Sequence, residues 1–499
     1  MSAENLNILL IITDQQRYDS LGCYGAGWVQ TPNLDKMSRE GVIFDNCYVN
    51  NPVCTPSRAS MLTGKHLPGH GVYKLHDILP PEEVLITRRL QERGYRTALF
   101  GKLHVSGRIY EAEQRHPGDG FDIYEWCLEA SISMDSPFNG YTRWLKEKDP
   151  KFYKRLEQER RNLLHIPREL HMTHWSAERT IDFIKGSDPA RPFFCKMSVF
   201  DPHNPYEDYP LEMRKLVDEK RIPDPLISGE ELKNRPYGIK QEEEHSYLGV
   251  FSKFSSEELR KMRLDYYASI ALIDLEVGRV LACLEEKGIA DKTMVIFTSD
   301  HGDMLGDHSL LVKGAFFYDP CVKVPLIIRW PEGLKGGKRI SGLVQLHDLA
   351  ATILKAAGFQ DDELEKIMPD SCNLAPLISG QRETIHPFVI CCYRNSGIND
   401  QGVAWDPPIH ATMIRDERYK LNIYHGDQVR GRKQEGQLFD MENDRDEVSN
   451  LWAKPDYNEV RFRMTESLLD WIHSRELALG SRGGTATPDP SQQLVNALK

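Results

Sequence analysis

Short apolar runs alternate with helical stretches along most of the chain. Asn7–Thr13 (NILLIIT) is apolar sequence of strand length, stopped by the polar Asp14-Gln15-Gln16-Arg17. Thr31-Pro32-Asn33 opens a helical stretch that runs to Glu40 and ends at Gly41. Residues 82–93 repeat apolar positions with a helical period and close at Gly94, ahead of a strand over 95–100. Further strands are predicted over 193–200, 293–298 and 324–328, with helices over 175–185 and about 257–287. Unbroken apolar strands separated by helices predict an α/β fold, a mostly parallel sheet covered on both faces.

Two segments, 106–170 and 205–255, break the rhythm with polar, aromatic and charged residues. They read as insertions over the sheet, long connections of the kind that shape binding sites. From about residue 383 the character changes to strand-like pieces at 388–393 and 411–424, then a final helix over about 456–474. The predicted organisation is an α/β catalytic unit over 1–382 that carries both insertions, a smaller α+β subdomain over 383–479, and a flexible Gly/Ser/Thr/Pro-rich tail over 480–499.

Composition narrows the function. With 499 residues, 40% apolar and 27% charged, the chain is ordinary globular protein, which excludes disorder, collagen and coiled coil. A net charge of −11 argues against nucleic acid as a partner, so any anion must be held by a local cluster of cations. The ten cysteines lack CxxC or metal-knuckle spacing and read as buried thiols of a reducing compartment. No run approaches the ~18 apolar residues of a membrane span, and the apolar run near the N-terminus lacks the flanks of a signal peptide. A cytoplasmic protein without a membrane partner is expected.

In an open parallel sheet, ligands gather beyond the carboxyl ends of the strands. Asp14 and Gln15 follow the first predicted strand, Lys102 and His104 the second, Asp201 to Tyr206 with His203 the third, and Asp300, His301 and Asp303 the fourth. Cys54-Thr55-Pro56-Ser57-Arg58 adds a cysteine at a helix start, where the helix dipole favours negative charge, and a planar cation one turn on. Ten cysteines would yield C-x-P-S-R by chance in about one chain in a thousand at typical residue usage.

These residues resemble the sulfatase family. C-x-P-S-R followed by Leu62-Thr63-Gly64 is similar to its maturation signature, in which the cysteine becomes formylglycine. The resemblance extends through ILLIITDQQR, LGCYG and TPNLDKMSREGVIFDN, and resumes at FFCKMSVFDPHNPY, VIFTSDHGDMLGDH, Lys313-Gly314 and QLFDMENDRDEVSNL. It implies an alkaline-phosphatase-type sandwich that hydrolyses a sulfate monoester on a small anionic substrate, after a formylglycine-generating enzyme has matured Cys54. It further implies one calcium ion, with Mn2+ or Mg2+ as alternatives, held by Asp14, Gln15, Asp300, His301 and the matured Cys54. Arg58, Lys102 and Lys313 would surround the sulfate oxygens, His203 and Lys313 would serve the leaving oxygen, and His104 the aldehyde hydrate.

Gln15 and His301 stand where many sulfatases carry aspartate and asparagine. That pattern also occurs in relatives that hydrolyse phosphonate monoesters and phosphodiesters, which makes such an enzyme the nearest alternative. A non-catalytic anion-binding protein with an unmatured Cys54 and a cysteine hydrolase are the other readings. Asp303, Asp307 and His308 read as a solvated acidic loop before a second metal site, and His66 and His70 as structural histidines of a turn. His165, His171, His174 and Trp175 could line the substrate pocket, and Arg108 and Arg115 could meet an anionic substrate.

Overall fold

A computed structural model describes residues 6–331, 336–427 and 429–479. The tail expected at 480–499 lies outside the described residues. Strands β1 (Asn7–Thr13), β2 (Val42–Tyr48), β3 (Arg96–Gly101), β4 (Ile123–Trp126), β5 (Phe193–Ser198), β6 (Thr293–Ser299), β7 (Lys323–Arg329) and β8 (Lys338–Ile340) form the main sheet. Their order is β4-β3-β5-β1-β6-β7-β2-β8, and the short β9 (Val344–Gln345) also pairs with β2. All pairings are parallel except those of β7, which runs antiparallel to both β6 and β2.

Continuous apolar strands bury both faces. Ile8, Leu10 and Ile12 of β1 enter one core, with α2 (Cys54–Thr63) and α5 (Asp348–Ala356). Leu9 and Ile11 enter the opposite core, with α1 (Pro32–Glu40), α3 (Met172–Lys185) and α4 (Ser256–Glu286). Each buried side chain of this size contributes roughly 1.5–3 kcal/mol. The result is a helix–sheet–helix sandwich around a mostly parallel sheet, the α/β architecture expected. Helix α4 starts with a reciprocal cap: Glu258 N–H donates to Ser255 Oγ (3.2 Å) and Ser255 N–H to the Glu258 carboxylate (2.8 Å).

A second, antiparallel sheet follows: β10 (Phe388–Arg394), β11 (His410–Asp416), β12 (Tyr419–Tyr424) and β13 (Glu435–Asp440). Val389, Cys391 and Met413 face the main body, whereas Ile390, Ile414 and Leu438 pack under Met464 and Leu468 of α6 (Asn458–Leu479). Among the described residues no helix is long and apolar enough to cross a membrane.

The structure departs from the expected elements in four places. Strand β2 went unpredicted because Asp45-Asn46 splits its apolar run, at a register shift between Phe44 and Cys47. The helix expected from 82 starts at Ile86, since Leu85 is still extended. The apolar stretch at 411–424 folds into two strands around Glu417-Arg418. The first insertion contains helices at Gly140–Lys148 and Pro150–Glu159 and also supplies β4, an edge strand of the main sheet.

Candidate active site

The register of the parallel strands brings the candidate residues to one edge. Thr13 lies opposite Ser299, Ile12 opposite Ser198, and Gly101 opposite Ser198, so the loops after β1, β3, β5 and β6 leave the sheet side by side. The β3 turn requires glycine: Gly101 has φ +111°, and a Cβ there would lie 1.9 Å from the Ser198 carbonyl oxygen. Helix α2 then enters with all ten of its residues buried. Asn51 fixes its start by accepting from Val53 N–H (2.8 Å) and donating to the Cys392 carbonyl (2.7 Å), which ties Cys54 to the C-terminal sheet.

Asp14, Asp300 and His301 converge beside Cys54. His301 Nε2 lies 3.8 Å from Asp14 Oδ1 and 3.7 Å from Asp300 Oδ1, and Cys54, Asp300 and His301 offer ligand atoms within 4.8 Å of one another. His301 Nδ1 donates to the Gly302 carbonyl (2.9 Å), so Nε2 carries the lone pair. Among the described residues Asp14 Oδ1 and His301 Nε2 are buried without a hydrogen-bond partner. Two orphaned ligand atoms aimed at one point fit a divalent cation, and the oxygen-rich donor set suits a hard one. Burial works against the Asp14 carboxylate, but Lys102, His203, Arg58 and Lys313 outweigh it and hold the group well below the usual range. Burial also brings His301 down to about 4, so its imidazole is neutral.

Arg58 is placed differently from expectation. It was expected against sulfate oxygens; instead all five of its N–H groups meet protein. Nε donates to Asp300 (2.6 Å), Nη1 to the Lys102 carbonyl (3.1 Å) and Ser198 Oγ (2.9 Å), and Nη2 to Asp14 (3.3 Å) and the Thr13 carbonyl (3.5 Å). Fully buried, it locks both carboxylates and the β3 turn in place, so it is a positioning residue.

The remaining cations and imidazoles surround Cys54. Lys102 Nζ contacts Asp14, and its backbone carbonyl accepts from the buried Lys196 (2.6 Å). Lys313 Nζ donates to Gln15 Oε1 (2.7 Å) and His203 Nε2 (2.8 Å), while His203 Nδ1 donates to the Asn204 carbonyl (2.6 Å). Thr55 Oγ1 gives its proton to the Leu75 carbonyl (2.8 Å) and accepts from His104 Nε2 (3.1 Å). His104 Nδ1 is thereby left with a bare, buried lone pair. Burial, joined by Lys102 for His104 and Lys313 for His203, holds both imidazoles well below the ordinary value. Burial likewise pushes the Cys54 thiol up, even though Lys102 and Lys313 pull it down.

Three residues that build this site were misplaced or missed in the sequence reading. Asp303 is buried, not solvated: it accepts from Gln15 Nε2 (2.6 Å) and Tyr206 (2.6 Å) and so turns the Gln15 carbonyl oxygen toward Lys313. Glu111 accepts from His104 N–H (2.8 Å), Val105 N–H (2.8 Å), Ser106 N–H (3.1 Å) and Trp126 Nε1 (2.9 Å), which holds His104 at φ +57°. Tyr247, from the second insertion, donates to Asn204 Oδ1 (3.2 Å) and lies within electrostatic reach of Cys54 and Asp14. Asp303 was visible as a carboxylate after a strand, whereas Glu111 and Tyr247 carry no local signal.

Other candidates take structural places. Asp307 pairs with Arg17 (2.8 Å) and Arg263 (3.0 Å), and His308 stacks on Tyr318 (3.9 Å between ring centroids). The expected acidic loop is thus buried and paired. His70 bonds Ser60 (2.8 Å), and His66 packs against His347 with the rings tilted by 51°. Among the possible pocket residues, His165 bonds the Tyr209 carbonyl, His171 caps α3, His174 bonds Glu276, and Trp175 is fully buried. Arg115 is held by Asp119, and Arg108 is exposed on a short helix.

Known proteins match the chain along most of its length. The sulfatase family profile matches residues 6–359, and the profile of the N-sulphoglucosamine sulphohydrolase C-terminal region matches residues 306–474. The chain is 30% identical to an arylsulfatase of Clostridium perfringens, over 94% of this chain and 95% of that protein. Among solved structures, the phosphonate monoester hydrolase of Agrobacterium radiobacter superposes with a TM-score of 0.76 at 24% identity, covering 94% of this chain and 96% of that one. A protein solved in complex with its substrate D-glucosamine-2-N,6-O-disulfate superposes with a TM-score of 0.73 at 21% identity, covering 95% and 98%.

Proposed function

The chain belongs to the sulfatase family, and from that premise we propose that it cleaves sulfate monoesters with a nucleophile matured from Cys54 and one divalent cation held by Asp14, Asp300 and His301. Calcium fits best, with Gln15 and the matured residue 54 completing the shell. The observation that carries the reading is the pair of orphaned buried atoms, Asp14 Oδ1 and His301 Nε2, beside a cysteine at the start of a wholly buried helix. Burial pushes the Cys54 thiol up, which makes the cysteine itself a poor nucleophile.

A bound cation would stabilise the negative charge that builds up as the ester bond breaks. Formylglycine at position 54 would supply a hydrated aldehyde as the attacking hydroxyl. The chain's own side chains do the rest. Lys102 and Lys313 place two ammonium groups beside residue 54, where the sulfate oxygens come to rest. Lys313, bonded to His203 Nε2, holds a proton for the leaving oxygen, and the Asn204 carbonyl fixes the His203 tautomer. The bare His104 Nδ1 takes a proton as the site resets. With Cys54 only 2% exposed, bulk water is kept from these charges.

Ten free cysteines, eight of them buried, support a reducing compartment as the working environment. The test pairs two measurements on protein from cells that carry the maturation enzyme. A peptide mass map across Cys54 should find an aldehyde in place of the thiol, and turnover of an aryl sulfate should exceed that of an aryl phosphonate ester. An intact thiol in active protein would remove the nucleophile from the proposal, and preference for the phosphonate would move the enzyme to the phosphorus-ester class.

A further inference from the structure

The edge of the main sheet and the C-terminal sheet leave a cleft of about 830 Å³ between them, in the size range of small-molecule sites. Tyr18, Tyr24 and Lys323 line its wall on the main body, and Arg415, Arg418 and Arg445 line the facing wall. No residue assigned above to catalysis or metal binding lines this space.

The charges at its floor do not balance. Asp319 and Glu447 are met by Lys420, at 2.6 and 2.8 Å, and Lys323 lies 3.6 Å from Asp319. Arg415 is a third cation. It is 7% exposed, donates from Nη1 to the Asp416 carbonyl (2.7 Å), and lies 5.3 Å from the centre of the Tyr48 ring. Among the described residues its Nε is buried without a hydrogen-bond partner; Tyr48, Asp319 and Glu447 favour its charge, but it forms no ion pair with either carboxylate. Of the other carboxylates that line the cleft, Asp45 and Glu442 already face Arg339 and Arg418, and Glu417 lies exposed to solvent at the rim. Burial lowers the Lys323 ammonium, and Arg415 and Lys420 lower it further against the pull of Asp319.

A buried guanidinium with a free N–H, next to a second crowded cation, is the arrangement that accepts an oxyanion through charge-assisted hydrogen bonds. We propose that this cleft is a second binding site, in which Arg415 and Lys323 hold the sulfate or carboxylate group of a small anionic molecule. The site stands apart from the catalytic reading, and its test reads binding directly.

The full chain carrying Lys313→Ala, which weakens the catalytic anion site, is titrated calorimetrically with inorganic sulfate and separately with glucuronate. Sulfate, glucuronate or both should bind, and adding Arg415→Gln or Lys323→Met should weaken that binding at least about tenfold, the size of one charge-assisted contact. The arm that responds identifies the anion. Each cleft substitution alone should leave aryl sulfate turnover unchanged, which establishes that the variant folds. Should Arg415→Gln fail to fold, Lys323→Met carries the same reading from a side chain that is 14% exposed. No binding of either anion at about 10 mM, the weak end of specific affinities, would overturn the proposal, as would binding indifferent to both substitutions.

Discussion

Two of the places where the molecule buries carboxylates treat them in opposite ways. At the seam between the two sheets, every oxygen of Asp319 and Glu447 has a partner. Lys420 bonds both residues, Tyr48 donates to Asp319 (3.0 Å), Lys323 lies beside its other oxygen, and the Asp319 N–H meets Glu447 (2.6 Å). At the ends of β1, β3 and β6, by contrast, Asp14 Oδ1, His104 Nδ1 and His301 Nε2 are buried without a hydrogen-bond partner among the described residues. A satisfied network fixes how two parts of a chain sit together. An unsatisfied one is costly to keep and signals a ligand or a proton still to come.

That contrast can be broken from either side. Cys54→Ala should have the largest effect, a loss of turnover of at least about 10⁴-fold, because it removes the nucleophile proposed above. Its melting temperature should fall only slightly, and activity that persists would place the chemistry elsewhere. Lys420→Met should do the reverse. With Asp319 and Glu447 left buried and uncompensated, unfolding in denaturant should show a loss of about 3–5 kcal/mol, with kcat of the folded fraction unchanged. His104→Ala should lower kcat about 100-fold with a much smaller change in KM, since its free lone pair acts on a proton and not on substrate affinity.

The smallest effect concerns Glu242, which joins the two regions by accepting from Ala315 N–H (2.7 Å), two residues after Lys313, and from Trp405 Nε1 (3.3 Å). Burial raises its carboxyl from 4.5 to about 8. The folded chain therefore keeps a proton that the unfolded chain has released, so this stabilisation is complete below the lower value and is lost as pH rises through the upper one. Glu242→Gln retains an acceptor without the titration and should flatten the fall in melting temperature across that window. An unchanged slope would show that the group is not buried as a neutral acid.

Much of this was legible beforehand because it depends on short-range pattern. The apolar runs at β1, β5 and β6 could belong only to a sheet covered on both faces, and the residues just past them had to emerge at one edge. Strand β2 escaped because two polar residues at a bulge hide its period, and Tyr247 escaped because only folding lays the second insertion over the site. Arg58 is the instructive middle case. Its position in the motif was evident, but its function depends on five acceptors from four separate strand ends.

The sequence by itself therefore determined the kinds of chemistry present and the edge of the sheet at which they collect, since strand period and parallel order set both. Only the tertiary structure decided which charges are paired and which are left open. Pairing is a matter of ångströms between residues hundreds of positions apart, as between Arg58 and Asp300 or Gln15 and Lys313, and no local pattern encodes it.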